Sequence, residues 1–253
     1  MDYETLIVEQ TGDVATVRLN RPEKHNALSA RLCHELIAAL DVLEADDAVD
    51  VLILTGVGEK AFCAGADMAE ATGGGGAKAG DVVAPAQAVA RVLGTHKPII
   101  AAVNGYAYGG GAFLAINCDI RIASENASFR FVGASYGLVV GAFQLPRIVG
   151  APLAKELIFT ARTVDAEEAL RIGLVNHLAP FDKLETTVMA MARAIASNSR
   201  AAVMASKEVI DIATSTTAAV RREVEANREL RQSPEHRERF RDAATRITGE
   251  EQV

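Results

Sequence analysis

The 253-residue chain is short of cysteine, of long apolar runs and of positive charge, and each shortage excludes something. Its three cysteines, Cys33, Cys63 and Cys118, are odd in number and far apart. They form neither a metal-ligand spacing nor a disulfide framework, so buried reduced thiols in a cytoplasmic protein are expected. No apolar run reaches the roughly 18 residues that cross a bilayer. Met1-Asp2-Tyr3-Glu4 carries neither the basic nor the apolar part of a secretion signal. No membrane partner is expected. Lys and Arg number 26 against 33 Asp and Glu, a net charge of −7, which counts against nucleic acid as the main partner. Arginines do gather near the C-terminus, at Arg221, Arg222, Arg228, Arg231, Arg237 and Arg239. Acids interleave with them at helical spacing, which fits an ion-paired helix face better than an RNA-binding surface.

What is present is an ordinary globular composition, 49% hydrophobic and 23% charged, on a chain long enough for one large α/β domain or two small ones. Thr5–Glu9 and Val14–Leu19 are β-rich runs about Gly12 and read as a hairpin. Leu32, Leu36, Leu40 and Leu43 recur at helical spacing behind Ser29, a candidate N-cap, so a helix is expected over Ser29–Ala45. Val51–Thr55 and Lys97–Ala102 are continuous apolar runs, the pattern of strands buried on both faces. Thr72–Gly80 holds a glycine run with little to bury and reads as a mobile loop. Helix follows from about Val82 to Leu93, and Leu114–Asp119 also reads as helix. Further strands are expected over Cys118–Ala123, Ala127–Phe131 and Ile172–Leu178, with a helix over Pro152–Thr160 and a short helix capped by Asp165 after it. Strands give way to helices near Pro180, which places a subdomain boundary there, 1–180 before and 181–253 after.

Two stretches carry candidate chemistry. Asn104-Gly105-Tyr106-Ala107-Tyr108-Gly109-Gly110-Gly111 joins a buried strand to a helix. Consecutive glycines let a ligand approach the backbone, and a helix start presents unpaired N–H groups that suit a negative charge. A tight turn under a helix gives the same letters. Ala61-Phe62-Cys63-Ala64-Gly65-Ala66-Asp67 also follows a buried strand.

With Arg21-Pro22-Glu23-Lys24-His25-Asn26-Ala27-Leu28, these motifs resemble the enoyl-CoA hydratase/isomerase (crotonase) family, from about Val14 to Arg246. The resemblance implies an α/β fold, a spiral of ββα units followed by a helical C-terminal subdomain used in assembly as a homotrimer or a dimer of trimers. It implies an acyl-CoA substrate and no further cofactor or metal. The N–H groups of Ala66 and Gly110 would form an oxyanion hole for the thioester carbonyl. Lys24, Ala27, Ala64 and Asp67 match the CoA-binding segments, and Arg246 is the nearest match to a basic residue that reaches CoA phosphates from the C-terminus.

The resemblance breaks at the acid–base groups. Hydratases of the family carry one glutamate three residues after the middle glycine and another in a Phe-Gly-x-Pro-Glu pattern; here those positions read Phe113 and Gly133. Two further positions used by other members read Val140 and Gly141. None of these side chains moves a proton, so classical hydration is not expected. Tyr108, Tyr136 and Asp67 are the remaining candidates for proton transfer, each also fitting a structural role. A catalytically inactive acyl-CoA-binding scaffold and an RNA-binding role for the arginine-rich helices stand as alternatives.

Overall fold

A computed structural model describes residues 2–71, 85–214 and 217–248. The glycine run expected as a mobile loop lies outside the described residues, as does the start of the helix expected from Val82. In chain order the strands and helices are β1 (Leu6–Thr11), β2 (Val14–Leu19), α1 (Ala30–Ala45), β3 (Val51–Gly56), β4 (Ala61–Cys63), α2 (Met68–Ala71), α3 (Pro85–Leu93), β5 (Ile99–Val103), β6 (Tyr106–Tyr108), α4 (Gly110–Ile116) and β7 (Ile120–Ser124). They continue with β8 (Ser128–Arg130), α5 (Leu145–Val149), α6 (Ala151–Thr160), β9 (Thr163–Asp165), α7 (Ala166–Arg171), β10 (His177–Ala179), α8 (Leu184–Ala196), α9 (Arg200–Thr214), α10 (Thr217–Leu230) and α11 (Pro234–Thr248).

Among the described residues the strands form two sheets, a six-stranded one in the order β1-β2-β3-β5-β7-β10 and a four-stranded one in the order β4-β6-β8-β9. Successive strand pairs β3/β4, β5/β6 and β7/β8 each place their first strand in the large sheet and their second in the small one. The chain therefore climbs one strand per unit in both sheets at once, the expected spiral. Pairing is parallel throughout that climb, and antiparallel only at β1–β2 and β8–β9.

The corners between the sheets are held by side-chain amides. Asn104, just after β5, accepts from Gly56 N–H at 3.1 Å and donates to Gly58 O at 2.7 Å. Asn26 donates to Val57 O at 3.1 Å and Ala61 O at 2.9 Å. Backbones meet so closely there that a Cβ on Gly105 would lie 2.3 Å from Lys60 O. The glycine is needed for that approach, not for turn flexibility.

The core lies on both faces of the large sheet, which is why its strands read as unbroken apolar runs. On one face Leu52 and Leu54 of β3 pack with α1 and α3 residues such as Leu36, Leu40 and Val92. On the other, Val51 and Ile53 meet Leu184, Val188 and Ala192 of α8. The N-cap of α1 forms as expected: Ser29 Oγ accepts from Leu32 N–H at 3.2 Å. Asp165 caps α7 in the same way, through Glu168 N–H at 2.8 Å.

Three local expectations are corrected. The helix expected over Leu114–Asp119 begins earlier, at Gly110, and ends at Ile116. Asp119 lies outside it, where its carboxylate accepts from Ile99 N–H at 2.8 Å and Lys207 Nζ at 2.7 Å. Extended structure over Ile172–Leu178 is limited to His177–Ala179, because Gly173 turns the chain with φ 74°. Strands β4 and β6 fall where the sequence suggests loops; with three residues each, they are too short to show alternation.

All three cysteines are buried and free, as expected. Burial pushes each thiol up from 9.0 to about 12. A folded thiol therefore keeps its proton where the unfolded one loses it. The stability from these groups is complete below pH 9.0 and falls as pH rises toward about 12. The expected result is native protein that does not react with a thiol reagent at about pH 8, and a steep loss of stability in urea titrations at higher pH, by up to about 1.4 kcal/mol per pH unit per thiol. A flat stability profile from about pH 8 to about pH 11 would contradict this.

The C-terminal helices divide by what they touch. α8 belongs to the core. α9 leaves Val209, Ile210 and Ile212 exposed at 65%, 60% and 71%. α10 and α11 pack on their own chain: α11 against α2 and the 3-10 turn Ala134–Tyr136, α10 against the segment that follows this turn.

Candidate active site

The site follows from the small sheet. Strands β4, β6 and β8 run parallel, so the segments leaving their C-terminal ends emerge side by side. These are Ala64–Asp67, Gly109–Gly111 and Phe131–Gly133. Glycines at positive φ, Gly65 at 98° and Gly109 at 52°, turn the first two toward each other. The approach is close: a Cβ on Gly65 would lie 3.1 Å from Gly110 N, and one on Gly110 would lie 3.6 Å from Ala66 N.

The direction of the Ala66 N–H is set by its neighbours. Leu28 N–H donates to Gly65 O at 2.7 Å, and Asp67 N–H donates to Leu28 O at 3.2 Å. In a parallel bridge of this kind the intervening residue presents its own N–H on the opposite side, here away from Leu28. Gly110 is the first residue of α4, where a helix leaves its N–H unpaired. Among the described residues neither Ala66 N–H nor Gly110 N–H donates a hydrogen bond within the fold. Two free donors on adjacent loops are what a developing oxyanion requires.

The segment Arg21–Leu28 buttresses the first loop. Arg21 Nη1 donates to Ala27 O at 2.8 Å and to Asp67 Oδ2 at 2.9 Å. Asp67 Oδ1 accepts from the N–H groups of Ala69 and Glu70, at 3.2 and 3.4 Å. Both Asp67 oxygens are thus committed to the fold. Glu70 is committed as well, accepting from Ala30 N–H at 2.7 Å. Ala64 N–H donates to His25 O at 3.0 Å, Ala27 is buried, and Lys24 is exposed at the end of a 3-10 turn. Arg246 sits on exposed α11, its Nε donating to Asp242 O in its own helix at 3.1 Å.

The tyrosines separate. The Tyr108 hydroxyl pairs with Ser128 Oγ at 3.1 Å and the ring lies against Tyr106, centroids 4.9 Å apart. Ser128 opens β8, so this hydroxyl points back along the sheet, away from Gly110. Tyr136 lies on the 3-10 turn after β8, and its ring meets the edge of Phe240 at 6.1 Å. Its carbonyl is in contact with His236 Nδ1 at 2.6 Å. Among the described residues its hydroxyl has no hydrogen-bond partner.

Beside the two N–H groups the walls are apolar. Phe113 and Phe143 pack edge to face, centroids 5.9 Å apart. Val132 Cγ2 would be 3.1 Å from a Cβ on Gly109. A Cβ on Gly133 would lie 3.0 Å from both Leu138 O and Val140 Cβ, so this position is already crowded by its own loop. A cleft of about 820 Å³ opens elsewhere, past the C-terminal end of α4, between α9 and residues such as Asn117, Gln144 and Arg147.

Sequence reasoning did not single out the contacts that Arg21, Phe143 and Glu223 make. Arg21 lay in a motif already singled out, and its spacing to Asp67 carried no signal. Glu223 lay in the arginine-rich stretch, where its burial at 8% exposure is invisible from composition.

The stepped pair of sheets with two free N–H groups at the ends of β4 and β6 is the crotonase type of fold. Comparison with known proteins gives the same class. The sequence profile described as "Enoyl-CoA hydratase/isomerase" matches residues 9–249. The short-chain-enoyl-CoA hydratase of Clostridium acetobutylicum is 42% identical over 217 residues, 83% of this chain and 82% of its own. The crotonyl-CoA hydratase of Syntrophomonas wolfei is 41% identical over 211 residues, 82% of this chain and 81% of its own. A crystal structure of enoyl-CoA hydratase/isomerase from Pseudoalteromonas atlantica aligns with a TM-score of 0.85 at 29% identity, over 99% of each chain. The chain belongs to the enoyl-CoA hydratase/isomerase family of enzymes.

Proposed function

We propose that this enzyme binds an acyl-CoA thioester with its carbonyl oxygen between the N–H groups of Ala66 and Gly110, and that it stabilises enolate-like charge there without the family's two glutamates. The observation that carries the reading is the pair of N–H groups left unbonded on adjacent loops. Such donors act on charge as it develops and need no reorganisation. CoA would lie along Lys24, Ala27 and Ala64, with Arg246 as the basic residue toward its phosphates. Asp67 serves this reading by fixing the first loop through Arg21.

The acid–base group is the open element. Phe113 and Gly133 stand where the glutamates are expected. Of the three substitutes, Asp67 and Tyr108 are bonded within the fold, which leaves Tyr136 as the group with an uncommitted proton. We assign proton transfer to the Tyr136 hydroxyl. Because two side chains that activate water are missing, classical hydration should be slow, by about 10²–10⁴-fold per group.

The test is crotonyl-CoA hydration followed by loss of enone absorbance, with thioester binding measured calorimetrically on the same sample. Binding with hydration far below the usual range of roughly 1–10³ s⁻¹ is the expected result. Hydration at ordinary enzyme rates would overturn the account of the acid–base groups, and absence of binding would overturn the whole reading. The commitment of Asp67 and Tyr108 to the fold also favours a second reading, a thioester-binding protein without turnover. A survey of thioesters that finds measurable binding and no turnover on any of them would select it, whereas turnover unchanged in Tyr136→Phe would remove only the assignment of Tyr136.

Assembly belongs to the same proposal. The exposed Val209, Ile210 and Ile212 of α9 support a homotrimer or dimer of trimers. Among the described residues no helix is long and apolar enough to cross a membrane. A cytoplasmic location is part of the proposal, supported by the three free thiols.

A further inference from the structure

We propose that Glu223 and Asn227, one helical turn apart on α10, are positioning residues that set acyl-chain selectivity by clamping the backbone of residues 139–143. The inference rests on the acyl-CoA reading above.

α10 is an exposed helix whose one buried side chain, among the described residues, is a glutamate. Glu223 Oε1 accepts from Gly141 N–H at 3.1 Å and Oε2 from Phe143 N–H at 2.9 Å. Asn227 Oδ1 accepts from Val139 N–H at 2.8 Å, and its Nδ2 donates to Val139 O at 2.5 Å. All four contacts are to backbone. A leucine would bury apolar surface here but leave the Gly141 and Phe143 N–H groups without their acceptor, so the carboxylate serves the backbone of the segment as well as the docking of the helix. Burial is costly for an ionised group unless its oxygens are satisfied. Among the described residues no cation pairs with Glu223, and backbone N–H groups satisfy it instead. Burial pushes its carboxyl up from the usual range, while the N–H groups of Phe143, Gly141 and Ala142 pull it down.

The clamped segment needs outside support. Gly137 and Gly141 bend it with φ of 70° and 78°, and it forms no strand or helix. Held by its backbone on the α10 side, it turns its side chains to the site. Phe143 packs on Phe113, and Val140 fills the space beside Gly133. A Cβ on Gly141 would face Ile116 Cδ1 at 3.4 Å and Phe113 Cδ2 at 3.6 Å. The apolar wall beside the two N–H groups is thus placed by two polar residues that do not line it. Selectivity follows, because a hydrophobic pocket discriminates between chains by fit at the level of single methylenes.

The experiment uses the full chain with butyryl-CoA, decanoyl-CoA and free CoA, each titrated calorimetrically. In Glu223→Ala the ratio of dissociation constants for the two thioesters should shift by about tenfold, with affinity for free CoA unchanged. Glu223→Gln, which keeps one acceptor and faces an N–H with a second donor, should shift the ratio partway. Asn227→Ala should shift it in the same direction as Glu223→Ala. An unchanged ratio in folded Glu223→Ala overturns the proposal. If that variant does not fold, an unchanged ratio in Asn227→Ala and Glu223→Gln overturns it equally. Wild-type protein that binds neither thioester would instead remove the acyl-CoA reading, a result separable from failure of the clamp.

Discussion

Replacing Gly110 with proline should lower turnover of the enzyme's best thioester by about 10²–10³-fold or more, the effect expected from removing one oxyanion donor. Proline deletes the N–H and puts its ring Cδ where that hydrogen was, so it removes the donor and also fills part of the space the donor points into. Gly110 is the first residue of α4, where proline is tolerated because that N–H has no helical partner. The nearest atom to the added Cβ is Leu28 Cδ1 at 3.2 Å, the end of a side chain that can move. Gly109 before it has no Cβ to clash with the ring. The fold is therefore retained, with a thermal midpoint near that of the wild type, while the rate falls. Measuring kcat and KM together separates the effects, since a group acting on developing charge lowers kcat more than it raises KM. Full activity in a folded Gly110→Pro variant would remove Gly110 from the site.

The neighbouring glycine gives the opposite outcome. Gly111→Ala should cost about 3 kcal/mol of stability, a fall in Tm of roughly 6–12 °C. A Cβ at this position would lie 2.0 Å from Cys63 O and 2.7 Å from Cys63 C. Those atoms are backbone of β4, fixed by its pairing with β6, so they cannot swing aside as a side chain would. Relief requires α4 to move away from β4, which also parts Gly110 from Ala66. Loss of stability and loss of thioester affinity should therefore appear together in Gly111→Ala, measured by thermal unfolding and calorimetry. In Gly110→Pro they are uncoupled. A Gly111→Ala variant with wild-type Tm would contradict the contact.

The fold was legible where burial imposes a period or a continuous run. The α1 leucines, the β3 and β5 runs and the two N-caps were readable because each is a local rule with a local cause. The short strands β4 and β6 were not, because three residues show no period and their pairing is with residues far along the chain. The start of α4 was misplaced for a related reason: glycine has low helix propensity, yet Gly110 and Gly111 belong to the helix, and at Gly111 only glycine allows its approach to β4. The candidate site was legible through its glycines and its likeness to a family. What the letters could not give was the commitment of side chains. Asp67 reads as a possible base until Arg21 is found on it, and Glu223 reads as one charge in a charged helix until it is found buried on backbone N–H groups.

The most direct test of the account is the carbonyl stretch of a bound thioester. Butyryl-CoA labelled with ¹³C at the thioester carbon, bound to the wild-type enzyme and to Gly110→Pro, would be examined by isotope-edited infrared difference spectroscopy. Two donors converging on the carbonyl oxygen should lower its stretching frequency in the wild type, and the shift should shrink when one donor is deleted. A bound thioester whose carbonyl frequency matches that in water, unchanged by the Gly110→Pro substitution, would show that Ala66 and Gly110 do not hold the oxygen.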